Sequence, residues 1–138
     1  MKTIPDFKSF NRDKTMEELE YNTKKWKNQI DFLQIDFVFL KSLIDSDIYN
    51  SGIINLFETL QLYKTEIQNV IIDCKEVLNK LISHEEHIKI YLECDDIDCD
   101  YFFIETHVKI EYNVELLVKK SNNLKTQIFE YIKSVIIK

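Results

Sequence analysis

The chain has 138 residues, of which 45% are hydrophobic and 30% charged, the size and balance of one soluble globular domain. It holds one glycine and one proline, where average usage gives roughly ten and seven. Sandwiches, barrels and Rossmann-type folds need glycine at turns and phosphate loops, so this composition excludes them and favours long, uninterrupted elements. The net charge of −6 makes a poor nucleic-acid binder, because neutralising phosphate drives that affinity.

The acidity is uneven. Residues 1–82 carry 11 basic and 13 acidic groups, residues 83–111 carry 2 and 9, and residues 112–138 carry 5 and 2. The basic C-terminal segment is where nucleic acid would bind if it bound at all, but lysines also suit a helix C-terminus. No run of 18 apolar residues occurs, so no transmembrane helix is expected. The start, MKTIPDFKSFNRDK, lacks the apolar core of a signal peptide, so a cytoplasmic location with reduced thiols is expected.

In chain order, residues 1–12 read as an irregular arm that packs through Ile4, Phe7 and Phe10. A first helix opens near Asp13–Thr15. Glu18 follows Thr15 by three residues, the spacing of a capping box. Apolar residues then recur at Met16, Leu19, Trp26, Ile30, Leu33, Phe37, Leu40 and Ile44, with Thr23 in the one gap. Steps alternating between four and three are the heptad seam of an antiparallel bundle. The segment DSDIYNSG reads as a turn, with Asn50 or Ser51 capping the next helix and Gly52 relaxing the corner. The second helix has the seam Leu56, Leu60, Tyr63, Ile67, Val70, Cys74, Val77 and Leu81, which extends through His84, Ile88 and Tyr91. A second capping box, Ser83 to Glu86, competes with that continuity, but no glycine or proline forces a break. CDDIDCD is the second turn, with Asp98 or Asp100 as the cap of the last helix. Its seam is Phe103, His107, Ile110, Val114, Leu117, Ser121, Leu124, Ile128, Tyr131 and Val135, a rod of roughly 55–60 Å. The expectation is one all-α domain over residues 1–138. It is an antiparallel bundle of three long helices with coiled-coil-like packing, or of four if the second helix breaks near Ser83.

The first helix has a second apolar stripe, Phe32, Ile35, Phe39 and Leu43, about 130° around the helix from the first at about 100° per residue. A helix in a simple bundle needs one stripe roughly 100° wide. The surplus face calls for cover by the arm, by a fourth helix, or by another chain, and a symmetric homodimer is the default assembly.

Residues 83–111 hold all three histidines. With the turn centred near Ile97, His84 falls opposite Glu111, and His87 falls opposite Val108 and beside His107. Glu111 shares a helix face with His107. The sharp reading is a zinc or iron layer of His84, His87, His107 and Glu111, similar in principle to hemerythrin-like or ferritin-like bundles. The Glu-x-x-His pairs of ferritin-like sites are absent, however. The plainer reading is a buried polar layer that sets register. Asp96, Asp98 and Asp100 match the start of a calcium loop, but Tyr101 and His107 stand where its Gly and Glu belong. Cys74 reads as a small core residue. No phosphate loop, nucleophile elbow or dinucleotide fingerprint occurs, so the chain reads as a non-enzymatic protein acting through protein–protein contacts, self-association above all.

Overall fold

The computed structural model describes residues 15–92 and 97–137. The chain folds into a three-helix bundle of α1 (Met16–Ile44), α2 (Leu56–Leu92) and α3 (Ile97–Val135), with each pair of helices in contact. At 1.5 Å per residue, α2 and α3 are rods of about 55 and 58 Å. The helix α2 runs unbroken through Ser83. Ser83 lies on its exposed side, where serine costs a helix little, and nothing in the surrounding sequence interrupts the backbone ladder. The arm over residues 1–12 lies outside the described residues, as do Cys94 and Asp96.

The start of α1 follows the capping expectation. Glu18 N donates to Thr15 Oγ1 at 3.2 Å, and Thr15 N donates to Glu18 Oε1 at 3.3 Å. The two other starts depart from it. α2 opens at Leu56, four or more residues beyond Asn50 and Ser51. Asn50 instead closes a tight turn, its Oδ1 accepting from Gly52 N at 3.1 Å. The chain enters α2 through Asn55, whose φ of 61° is left-handed, a region that Asn tolerates better than most residues. Gly52 has no positive φ, so the corner takes its reversal at an asparagine and not at the glycine. α3 already begins at Ile97, so Asp98 and Asp100 stand in its first turn and neither is its cap. Acidic residues there still favour the positive end of the helix dipole.

The seams form the core. Ile30, Leu33, Phe37, Leu40 and Ile44 of α1 meet Leu56, Leu60, Ile67, Val70, Cys74, Val77 and Leu81 of α2, and Ile110 through Val135 of α3. A smaller apolar cluster at the other end joins Leu19, Ile88 and Phe103. The connection between α1 and α2 folds over the bottom of the bundle. Tyr49 bridges Ile136, Asn50 N donates to the Val135 carbonyl at 2.8 Å, and Ile137 N donates to the Ile48 carbonyl at 2.9 Å. Ion pairs link the helices at Lys27–Glu85, Lys125–Asp36 and Lys120–Asp73. All are solvent-accessible, so each contributes at most about 1 kcal/mol, and the seams dominate stability. Among the described residues no helix is long and apolar enough to cross a membrane.

The two faces of α1 separate cleanly in one pair of neighbouring phenylalanines. Phe37 is fully buried, whereas Phe39 is 61% exposed. Phe37→Ala should lower the urea unfolding free energy by about 3–5 kcal/mol, as large-to-small core changes do. Phe39→Ala should change it by at most about 0.5 kcal/mol under conditions where the chain is monomeric.

Candidate functional site

The two apolar clusters are separated by a polar layer. Thr23 of α1, His84 of α2 and His107 of α3 are all buried, at 0%, 2% and 0% exposure. Thr23 disposes of its hydroxyl proton locally, donating to the Leu19 carbonyl at 2.9 Å. The two imidazoles meet directly, His84 Nε2 to His107 Nδ1 at 2.9 Å, one ring donating and the other accepting. Aromatic rings enclose them. Phe103 stacks on His84 with centroids 4.4 Å apart and planes at 15°, and the Trp26 ring lies 4.8 Å from that of His107. Glu111, one turn beyond His107, is also buried.

His84, His107 and Glu111 are all buried, but the pairing differs from the one expected from a turn centred near Ile97. His84 lies against His107, not Glu111, which moves the centre of the hairpin from 97 to between 95 and 96. That shift carries His87 out of the layer, and its side chain is exposed. Of the four residues read as ligands, His84 and His107 touch, Glu111 is buried one turn beyond His107, and His87 lies on the exposed side of α2 three residues after His84. The two ring nitrogens that meet are joined by a hydrogen bond of 2.9 Å. Among the described residues no group of three or more His, Cys, Asp or Glu side chains is placed to hold a metal ion. The calcium-loop reading fails for a separate reason, since residues 97–107 are helical and cannot wrap an ion as a loop.

Burial pushes the His84 imidazole down to about 4, with His87 adding a smaller electrostatic contribution in the same direction. Desolvation disfavours the charged ring, and two protonated rings could not keep the shared hydrogen bond. Burial likewise pushes the Cys74 thiol up to about 11, with Asp73 contributing, so this cysteine is a core residue and not a nucleophile.

The second stripe of α1 is a surface. Phe32 and Ile35 are 66% and 62% exposed, and Phe39 is nearly as open. Val38, which the spacing did not single out, widens the patch. Leu43 does not belong to it, because it packs against the core. The chain beyond α1 turns back there, with Ser46 Oγ and Tyr49 Oη both donating to the Leu43 carbonyl. Phe103 and Trp26 were legible as seam residues, but that they enclose the histidines depends on the register of the hairpin.

No protein-family model, curated protein or solved structure is similar to the chain.

Between pH 6.5 and about 4 the unfolded chain binds a proton at His84 that the folded chain does not. Stability therefore falls as the pH falls through that window, by about 3 kcal/mol at its lower end. Urea titrations from pH 7 to 4 should show this loss, and His84→Phe should flatten the slope.

Proposed function

We propose that the protein acts without catalysis, through protein–protein contacts, and that it self-associates through the exposed face of α1. The observation that carries this reading is the row Phe32, Ile35, Val38 and Phe39, all at least half exposed within about two turns of one helix. Other large apolar side chains, such as Phe57 and Leu62, are exposed as well, but four within eight residues of one helix are the kind of apolar patch that marks a contact site. A row on a single helix is self-complementary, so two copies can pack about a twofold axis with the same residues on both sides. The layout also favours a contact protein over an enzyme. The buried histidines are walled in by aromatic rings, and Cys74 is sealed in the core. Cys74 presents no reactive atom to a substrate, and His84 spends its Nε2 on the bond to His107.

Sedimentation velocity across a hundredfold range of concentration should resolve a dimer. Ile35→Asp together with Phe39→Asp should return a monomer of unchanged helicity. A wild-type protein that stays monomeric throughout would defeat the self-association reading.

The histidine layer enters this reading as a register device, and the paired geometry supports that use over metal binding. Protein purified without a histidine tag should contain less than about one tenth of a zinc or iron per chain. Adding either metal should leave its melting temperature unchanged. A bound equivalent, or a shift of several degrees that His107→Ala abolishes, would restore the metal reading.

A further inference from the structure

A groove of about 520 Å³ runs along the outside of the histidine layer, between α2 and α3. Its volume lies within the range of small-molecule sites. The ring of His84 and the side chain of Ile110 line it, with Phe102 at one end. Lys80 and Lys109 line it as well, with Asn79 and Asn113 beside them. No carboxylate among the described residues does.

That absence is out of keeping with the rest of the molecule. The chain has 24 acidic residues against 18 basic ones. Elsewhere on the described surface, most lysines that line grooves face acids, with Lys119 the exception. Lys27 pairs with Glu85 at 3.4 Å, Lys64 with Asp45 at 2.8 Å, and Lys120 with Asp73 at 3.5 Å. Lys80 and Lys109 form no ion pair with any described residue, and they project from two different helices into the same cleft. Two ammonium groups on one cleft repel each other, and an anion between them relieves that repulsion.

The hairpin register orders the groove from end to end. His84 lies against His107, so Lys80, a turn before His84, comes level with the stretch of α3 that holds Lys109 and Asn113. At the other end, His87 comes level with Phe102 and Thr106. Thr106 has its hydroxyl proton committed to the Phe102 carbonyl at 2.9 Å, and the Phe102 and His87 rings form the rest of that end. One end of the groove is thus cationic and rich in amide donors, and the other is aromatic. From Lys80 to His87 is about 10 Å of helix, the length of a chain of about eight carbons.

We propose that this groove binds a monocarboxylate with a narrow apolar body, its head between Lys80 and Lys109 and its body along Ile110 towards Phe102. The ammonium groups and the amides of Asn79 and Asn113 hold the carboxylate, while the wall of the histidine layer takes the hydrocarbon. The site is independent of the α1 face and of the assembly proposed through it.

The test is a titration of the full ¹⁵N-labelled chain with octanoate, read by amide chemical shifts, beside 1-octanol, octylamine and acetate as probes. Octanoate should move amides near Lys80, Thr106, Lys109 and Ile110 in a saturable way. Octanol, octylamine and acetate should each bind at least about tenfold more weakly, since each lacks either the anion or the apolar body. Lys80→Gln and Lys109→Gln, at positions outside the core, should each weaken octanoate severalfold and leave the helical circular dichroism unchanged. Absence of localised shifts would overturn the proposal. Equal binding of octanol and octanoate would do so too, since the lysines would then play no part. So would undiminished binding by both folded glutamine variants, or shifts centred on Phe32–Phe39.

Discussion

The contact on which the bundle's geometry turns is the hydrogen bond between His84 and His107. Heptad seams alone define which faces of α2 and α3 meet, but they leave the helices free to slide by a repeat at modest cost. A buried imidazole removes that freedom. Its ring nitrogens lose water on folding, and a slip of one repeat would break the His84–His107 bond and bring one of the two rings level with a valine, Val114 or Val77. The layer therefore acts as a pin in an otherwise repetitive interface, as single polar residues do in coiled coils. Its position matters as well. It lies between the large core cluster and the small cluster of Leu19, Ile88 and Phe103, where all three helices contribute to it. Thr23 and Trp26 bring α1 to the same level.

Much of this fold was legible because helices encode their buried face in a short, regular period. The three seams, the capping box at Thr15 and the second face of α1 follow from spacing alone. What spacing could not supply was the pairing between helices. Between α2 and α3 the aspartates at 95, 96, 98 and 100 offer several equivalent caps, and no glycine or proline marks the centre. An error of one or two residues at the centre doubles across a hairpin. That was enough to exchange Glu111 for His107 as the partner of His84 and to place His87 inside the layer. The α1–α2 corner was misread for a different reason. Asparagine did two jobs there, closing a turn at position 50 and taking a left-handed conformation at 55, and neither is visible as a spacing. The lysine-lined groove was wholly illegible, because it exists only once the correct register brings Lys80 and Lys109 to one cleft.

The division of α1 into a buried and an open face has the same physical root as its composition. With 11 apolar residues in the 19 from Trp26 to Ile44, no single neighbour can cover them all. α2 and α3 take Ile30, Leu33, Phe37, Leu40 and Ile44. The return of the chain at Ser46 and Tyr49 shields Leu43 and stops there. What remains is about two turns of helix, from Phe32 to Phe39, whose apolar side chains stay at least half exposed in the single chain. Those residues are free to serve a contact because the core is complete without them.

The chain contains one tryptophan, and the fold sets it 4.8 Å from an imidazole in the layer where the three helices meet. Indole emission is sensitive both to the polarity around it and to quenching by a protonated imidazole. Trp26 thus couples light to two separate events at one point in the molecule. Docking of α1 against the α2–α3 hairpin changes its surroundings, and arrival of a proton on the histidine pair changes its brightness. Spectral position and intensity can be recorded from the same sample, so assembly of the bundle and charging of its interior can be followed together with no label attached.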